Sequence, residues 1–333
     1  MSAAPSMRAV VITRFGDPDV LDVREVPMPE PAPGEVRVRV YASGVNRADL
    51  LQRLGLYPAP SGAPQDIPGL EYAGVVDAVG AGVERPSPGE AVMGIVGGGG
   101  CAEYVVVHAR TAVKVPRGLD PAEAGAVPEV FMTAYDAVFL QAGLTTGETL
   151  LVHAVGSGVG TAAVQLAAVA GARTVGTSRT QQKLEKAAAL GLDIGVAGGD
   201  GWPEQVLDRT DGRGADVILD LVGGPYLAGN QRVIAPRGRH VVVGVPGGSE
   251  ASIDLRALMA RRASIRGTVL RARALEEKIA LARVFADRVV PLFEAGRVRP
   301  VIDRWVAPED AADAHRHIAA NRNFGKIVLR WVE

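Results

Sequence analysis

The stretch His153-Ala-Val-Gly-Ser-Gly-Val-Gly160 decides the fold of this chain. It follows an apolar run, Gly147-Glu-Thr-Leu-Leu-Val-His153, that predicts a strand, and it opens an alanine-rich segment that predicts a helix. Glycines let the backbone approach a phosphate closely, and the first amide groups of a helix favour negative charge. This predicted strand, glycine loop and helix therefore indicate the pyrophosphate site of a dinucleotide-binding fold. Because Gly156-x-Gly158-x-Gly160 lacks the G-x-G-x-x-G spacing, a tight connection without a ligand is the alternative.

Composition narrows the class of protein. A chain of 333 residues, 47% of them hydrophobic, predicts about two globular domains. The net charge of -1, with Lys and Arg scattered singly, argues against a nucleic-acid surface. No run reaches the 18 or so apolar residues of a membrane span, which argues against a membrane partner. The single cysteine, Cys101, excludes an intramolecular disulfide and a four-cysteine zinc site, and we expect a cytoplasmic protein.

The first part of the chain has the pattern of an all-β domain. Short valine-rich runs are separated by Pro and Gly clusters, and residues 35–40 alternate strictly between polar and apolar. The strand candidates are 8–12, 22–26, 36–41, 72–79, 91–96 and 103–107. Together they predict a compact β-barrel-like unit of about 120 residues.

From about residue 129 helices and strands alternate. The predicted helices are 130–141, 161–170, 182–190 and 226–234, and the predicted strands are 149–154, 173–178, 194–197, 216–221 and 239–243. This order predicts an α/β fold with a doubly wound parallel sheet. A strand at 264–270 and a helix at 275–295 follow, and a closing segment, 307–320 with a strand at 326–331, is expected to return to the first domain.

The residues after the second strand of the parallel sheet bear on the cofactor. An Asp or Glu about 20 residues beyond the glycines would hold the ribose 2′-hydroxyl of NAD. Here Ser178, Arg179 and Lys183 stand in that region instead, where a carboxylate would repel a 2′-phosphate. We therefore predict NADPH as the cofactor, with ordinary solvated surface cations as the alternative.

Several segments, spread nearly from end to end, match one family. They are residues 45–57 (VNRADLLQRLGLY), 67–74 (IPGLEYAG), 128–134 (PEVFMTA), the loop and helix 153–166, and 323–329 (NFGKIVL). The chain resembles a medium-chain dehydrogenase/reductase of the zinc-free quinone oxidoreductase branch, and is most similar to the p53-inducible quinone oxidoreductase subgroup.

The resemblance implies a GroES-like β-barrel catalytic domain made from residues 1–125 and 271–333. It implies a Rossmann domain over 126–270, with NADPH bound in a cleft. The expected activity is NADPH-dependent reduction of a small-molecule quinone. An NADPH-dependent 2-alkenal or enone double-bond reductase is the alternative with the same fold, and a non-catalytic NADPH-binding protein is the alternative from another class.

The residues do not favour a metal site. Zinc alcohol dehydrogenases of the superfamily have Gly-His-Glu where this chain has Gly-Leu70-Glu71, so leucine replaces a zinc ligand. His315 and His317 lie two apart on a predicted helix and point to different faces. We therefore expect no metal and a structural role for Glu71. A packed or surface role is expected for the remaining histidines, His108, His153 and His240.

Without a metal, the acceptor must be one whose reduced form needs little electrophilic help. Hydride addition to a quinone or a conjugated enone gives an anion whose charge is delocalised and can be held by hydrogen bonds. The resemblance places Asn46 and Tyr57 at the acceptor, where we expect them to orient its carbonyl group. A tyrosine that serves only as a packing lid is the alternative.

The resemblance also points to cofactor contacts outside the glycine loop. It places Thr133 near the nicotinamide ribose and phosphates, together with Asn323 and Lys326. Lys326 would present a cation to the phosphates, or would be a plain strand-edge lysine. The predicted loop contacts are Gly156, Ser157, Gly158, Val159 and Gly160.

Two further expectations concern a turn and an edge. The glycine run 97–100 predicts a flexible turn, with a plain hairpin loop as the alternative, and the lone Cys101 after it carries no sign of a nucleophile. The strand candidate 264–270 is expected to lie at the edge of the Rossmann sheet and to pair with its two-fold mate in a homodimer. An edge covered by a helix of the same molecule is the alternative.

Overall fold

A computed structural model describes residues 5–332 of the chain. The chain divides into two compact units, here called unit 1 (Met1–Met132 with Leu270–Glu333) and unit 2 (Thr133–Val269). The limits predicted above for the two functional domains stay a prediction.

The strands are β1 (Ser6–Ile12), β2 (Leu21–Pro27), β3 (Glu35–Val45), β4 (Glu71–Val79), β5 (Ala91–Ile95), β6 (Tyr104–His108), β7 (Val113–Lys114), β8 (Thr149–Val152), β9 (Arg173–Ser178), β10 (Ile194–Ala197), β11 (Ala215–Asp220), β12 (Ile234–Val242), β13 (Ser264–Gly267), β14 (Ile302–Val306) and β15 (Lys326–Arg330). The helices are α1 (Arg47–Arg53), α2 (Pro128–Tyr135), α3 (Gly158–Val169), α4 (Gln181–Ala188), α5 (Trp202–Arg209), α6 (Leu227–Val233), α7 (Leu255–Arg261), α8 (Leu275–Arg288), α9 (Val290–Glu294) and α10 (Ala311–Ala319).

Unit 1 is organised around β3. Its sheet has the order β14-β15-β3-β4-β5-β7, and β6 also pairs with β3. One edge of β3 pairs with β4, whereas the other is shared by β6, opposite residues 35–39, and by β15, opposite residues 42–45. Val36, Val38 and Val40 are buried, as the alternating pattern predicted. β15 confirms that the closing segment returns to the first domain.

Unit 2 holds a six-stranded parallel sheet with the order β10-β9-β8-β11-β12-β13. Every residue of β8 and β11 is buried, as expected for strands covered on both faces. Strand order reverses between β8 and β11, and at such a switch point the carboxyl ends of the strands form a ligand site. The predicted Rossmann sheet is thereby confirmed.

Two predicted helices are interrupted. The helix expected at 130–141 is α2 followed by a π-helical turn, Asp136–Gln141. The helix expected at 275–295 ends at Arg288, because Pro291 lies at the start of α9 and lacks the N–H that a continuous helix requires. The edge strand β13 is also shorter than predicted and ends at Gly267. Within residues 5–332 no helix has the length and apolar character needed to cross a bilayer.

Candidate active site

The glycine loop joins β8 to α3 through a strained turn. Ala154 has a φ of 51°, and its neighbour Val155 donates its N–H to the carbonyl oxygen of Thr177 at 3.0 Å. Ser157 caps α3, its Oγ accepting the N–H of Gly160 at 3.1 Å. A Cβ at Gly160 would lie 2.7 Å from the carbonyl oxygen of Ala154, so only glycine allows this loop to pack on the helix. The remaining first-turn amides of α3 suit a pyrophosphate.

The three residues predicted to bind a 2′-phosphate lie at the carboxyl end of β9 and in the first turn of α4. Ser178 is buried, and its Oγ accepts the N–H of Thr180 at 3.3 Å. Arg179 is exposed, and Lys183 is half-buried in the first turn of α4. No carboxylate occurs between residues 176 and 184. The fit to a 2′-phosphate therefore rests on one hydroxyl and two cations.

A buried polar network lies next to this loop. His153 contacts Thr177 Oγ1 through Nδ1 at 2.9 Å and Asn230 Oδ1 through Nε2 at 2.6 Å. Burial lowers the pKa of His153 to about 4, so the ring is neutral at pH 7. Asp220 contacts His240 Nε2 at 3.0 Å and accepts the amide of Asn230 at 3.1 Å. His153 and His240 are therefore packed residues, as expected.

In unit 1 the centre of the site is a buried ion pair. Lys326 Nζ lies 2.6 Å from Glu71 Oε1, and the two side chains are 4% and 0% exposed. The ammonium group also donates to Asn46 Oδ1 at 2.6 Å and to the carbonyl oxygen of Val45 at 3.1 Å. These contacts use all three N–H donors of the lysine. A phosphate contact of Lys326 would require one of them to break, and this role stays a prediction from the resemblance.

Asn46 is held in the same cluster. Its Nδ2 donates to the carbonyl oxygen of Gly44 and to Glu71 Oε1, both at 3.0 Å. Its backbone N–H donates to Asp49 Oδ2 at 2.7 Å, and Asp49 Oδ1 accepts the N–H of Gly69 at 2.9 Å. Burial, opposed by these two bonds, raises the pKa of Asp49 to about 6. Direct donation from Asn46 to an acceptor would require one of its amide bonds to be given up.

Tyr57 lies beneath the guanidinium group of Arg271, whose Cζ is 4.9 Å from the ring centroid. Arg271 donates from Nη1 to the carbonyl oxygen of Tyr57 at 3.0 Å and from Nε to that of Gly97 at 2.7 Å, and Nη2 contacts Gln52 Oε1. The Tyr57 hydroxyl is not hydrogen-bonded to any of residues 5–332. Burial raises its pKa, so at neutral pH the hydroxyl is protonated and can donate.

The glycine run 97–100 is hydrogen-bonded to a second segment of unit 1, and its flexibility stays a prediction. Gly99 and Gly100 donate their N–H groups to the carbonyl oxygens of Ile67, at 2.9 Å, and Gly69, at 3.1 Å. Gly69 has a φ of 105°, and a Cβ there would lie 2.3 Å from the backbone nitrogen of Cys101. Two segments distant in sequence thus hold each other in place. Burial raises the pKa of the Cys101 thiol, which fits the expectation of an inert cysteine.

The remaining predicted contacts have local partners. Thr133 is buried within α2. Asn323 donates from Nδ2 to the carbonyl oxygen of Gly325 at 2.8 Å, in the turn before β15. Their roles toward a cofactor stay predictions.

Sequence reasoning missed two residues of this site. Arg271 stands alone after a strand candidate, and no periodicity or motif marks it. Glu129 donates its backbone N–H to Glu71 Oε2 at 2.9 Å. An acid in the first turn of a helix is ordinarily explained by the helix dipole, and only the contact with Glu71 distinguishes this one.

The residues present do not fit a zinc ion. Leu70 is buried, and Glu71 is neutralised by an ammonium group. Across the part of the chain that the structure describes, no three His, Cys, Asp or Glu side chains are grouped closely enough to hold a metal. His317, one of the two histidines on α10, contacts the carboxylate of Asp303 at 3.1 Å.

Comparison with known proteins settles the family. The model of the alcohol dehydrogenase GroES-like domain matches residues 32–117, and that of the zinc-binding dehydrogenase matches residues 158–286. A quinone oxidoreductase of Pseudomonas aeruginosa is 33% identical over 327 residues, covering 97% of this chain and 99% of the relative. This chain belongs to the medium-chain dehydrogenase/reductase superfamily. It is thus an oxidoreductase of a pyridine-nucleotide-dependent family, as the resemblance implied.

The chain is also similar to proteins that are not named as quinone oxidoreductases. The pikromycin polyketide synthase component PikAII of Streptomyces venezuelae is 36% identical over 308 residues, or 90% of this chain, which spans only 8% of that relative. The crystal structure of an NAD-dependent alcohol dehydrogenase has a TM-score of 0.88 and 35% identity, covering 98% of this chain and 100% of the other. That of CurK enoyl reductase has a TM-score of 0.87 and 26% identity, covering 98% and 99%.

Proposed function

We propose that this protein is an NADPH-dependent quinone oxidoreductase that works without a metal. The observation that carries the proposal is the donor set in unit 1, where the half-buried Tyr57 hydroxyl and the Arg271 guanidinium lie together and Glu71 is closed off by Lys326. The tyrosine hydroxyl can donate a hydrogen bond to a carbonyl oxygen of the acceptor, and the guanidinium group adds positive charge. A quinone, whose reduced anion is delocalised, needs no stronger electrophile. The Pseudomonas quinone oxidoreductase, similar over its whole length, supports the same activity.

The bound nicotinamide would supply the hydride. Tyr57, protonated at neutral pH, donates a hydrogen bond to the acceptor oxygen, and Arg271 holds the tyrosine in position. Asn46 keeps Glu71 and Lys326 in their pair and thereby fixes the base of the acceptor site. The loop 156–160 and Thr133, which belong to unit 2, are proposed to hold the cofactor. We place the protein in the cytoplasm.

A second candidate is reduction of a conjugated double bond in a 2-alkenal or enone. The similarity to a polyketide synthase segment and to an enoyl reductase structure favours it. Hydride addition to an enone also produces an oxygen anion that Tyr57 can hold.

An NADPH-oxidation assay over quinones, 2-alkenals and enones separates these activities. After dialysis against a chelator, we expect quinones to be reduced with the highest kcat/KM and at an undiminished rate. Faster turnover of alkenals or enones would establish the second candidate. Tight NADPH binding with no oxidation by any of these acceptors would indicate a non-catalytic NADPH-binding protein.

We predict that NADPH binds at least tenfold more tightly than NADH. Charge-assisted contacts from Arg179 and Lys183 to a 2′-phosphate contribute roughly 1.5–3 kcal/mol each, and about 1.4 kcal/mol corresponds to a tenfold preference. The double variant Arg179→Ala with Lys183→Ala should lose this preference while its NADH affinity stays unchanged. Fluorescence titration of both cofactors measures this.

The matched control is Lys186→Ala, which removes a cation from the last turn of the same helix. It should retain the preference. Because one solved relative is described as NAD-dependent, NADH is the rival cofactor. Equal affinities in the wild type would contradict the NADPH preference. A preference that survives in the double variant would show that Arg179 and Lys183 do not create it.

We also propose that two copies of this chain pair along β13. This strand lies at the edge of the sheet of unit 2. The neighbouring helix α7 exposes the side chains of Leu255 and Met259, and Met259 is 75% exposed.

In a two-fold interface a substitution is present on both subunits, so its effect on the interface is doubled. Met259→Asp should therefore convert a dimer into a species near 34.6 kDa in light scattering, and Leu56→Asp, equally exposed in unit 1, should not. A wild-type monomer at micromolar concentration would contradict the pairing.

A further inference from the structure

We propose that Glu129 is the proton donor of the reaction, passing the proton of its carboxyl group to the acceptor oxygen that becomes negative on hydride transfer. This inference rests on the proposed function, since it requires an acceptor whose reduced form is an oxygen anion. It assigns a chemical role to a residue that lies in the family-matching segment 128–134 but to which the resemblance gave no role.

The geometry separates Glu129 from the other acids of the cluster. Both oxygens of Glu71 accept hydrogen bonds, from Lys326 and Asn46 on one side and from the Glu129 backbone on the other. Both oxygens of Asp49 likewise accept backbone N–H groups. The Glu129 carboxyl is half-buried and forms no hydrogen bond with residues 5–332. It is the acid in this cluster that is free to meet a ligand.

Glu129 belongs to the same cluster as the proposed donor groups, because its backbone N–H contacts Glu71. Its charge acts on the titration of Tyr57, of Arg271 and of Lys278 on α8, which places it within electrostatic range of all three. The proposal requires the Glu129 carboxyl group to reach the oxygen that Tyr57 and Arg271 hold.

Burial, together with the surrounding charges, keeps this carboxyl protonated. Burial raises its pKa most, and the charges of Glu71 and Asp49 raise it further, whereas Lys326 and Arg271 lower it; the pKa is raised to about 8. At pH 7 the cations Lys326 and Arg271 are then balanced by Glu71 and Asp49, and Glu129 still carries its proton. General acids work best with a pKa near the operating pH.

The proton balance of the step is complete. The hydride brings two electrons and one hydrogen to the acceptor and leaves an oxygen anion. The O–H bond of Glu129 breaks, an O–H bond forms on the acceptor, and the carboxylate regains a proton from water when the product leaves. Tyr57 keeps its own proton, because burial raises its pKa and disfavours a phenolate. It therefore orients the oxygen and does not protonate it.

Replacing Glu129 by glutamine tests the assignment, because an amide of the same shape can donate a hydrogen bond but has no acidic proton to transfer. For the wild type we expect kcat for quinone reduction to fall as pH rises through about 8. Glu129→Gln should lower kcat at pH 7 about a hundredfold and remove that decline, with KM changed little. Glu129→Asp, which keeps a carboxylic acid, should retain the decline. The control Glu123→Gln, in an exposed position before α2, should behave as the wild type.

A stability measurement checks the same proton without turnover. A folded-state pKa above the unfolded value adds stability at low pH that is lost as pH rises toward about 8, and Glu129→Gln should remove this dependence of Tm. Wild-type quinone reduction together with an unchanged kcat and pH profile in Glu129→Gln would overturn the inference alone. A wild type that reduces no quinone or enone would overturn the proposed function and this step with it.

Discussion

Lys326→Met is expected to lower the free energy of unfolding by about 3–5 kcal/mol, because it leaves the carboxylate of Glu71 buried without its cation. Glu71 is fully buried, and the lysine supplies its shortest contact. At 2–4 °C per kcal/mol for a unit of this size, Tm should fall by roughly 10 °C. Thermal unfolding followed by circular dichroism measures the change.

A double variant separates the loss of charge balance from the loss of packing. Lys326→Met with Glu71→Gln removes both charges and should recover much of the lost Tm, since the neutral amide can still accept the Glu129 N–H. Lys114→Met, at an exposed position in β7, should leave Tm unchanged. If Lys326→Met alone melts like the wild type, the ammonium group does not neutralise Glu71 in solution.

Arg271→Ala should lower kcat/KM for the quinone about a hundredfold, because small misplacements of a group that orients the substrate are known to cost this much. The side chain fixes the backbone of Tyr57 and of Gly97 and covers the tyrosine ring. We expect the loss mainly in kcat, which steady-state kinetics resolves.

The planar guanidinium group is essential to this role. Arg271→Lys should not restore activity, because an ammonium group lacks the fixed fork of donors, whereas added guanidinium should partly rescue Arg271→Ala. Arg288→Ala, at the exposed end of α8, is the matched control. Wild-type kinetics in Arg271→Ala would show that Tyr57 is not held by the arginine during turnover.

The parallel sheet and the glycine loop were predictable because their signals are local. Buried strands such as β8 and the loop before α3 are encoded by neighbouring residues, so periodicity and glycine placement locate them. The alternation in β3 likewise placed Val36, Val38 and Val40 in the core.

The side-chain cluster of unit 1 could not be predicted in the same way. Glu71, Lys326 and Glu129 lie in three distant segments, and no local pattern connects them before the sheet forms. The contacts of the glycine run could not be predicted for the same reason, since its hydrogen-bond partners at Ile67 and Gly69 are remote in the sequence. The family resemblance drew attention to Lys326 as a phosphate contact but gave no sign of its pairing with Glu71.

The pairing of β15 with β3 sets the order in which the chain can fold during synthesis. Unit 2 is continuous, so its sheet can close while the C-terminal segment is still on the ribosome. Unit 1 is split, and β3 keeps half of one edge open until β15, which is made after unit 2, arrives opposite Val45. Nascent chains arrested before residue 326 should therefore carry a protease-resistant middle and a protease-sensitive first part.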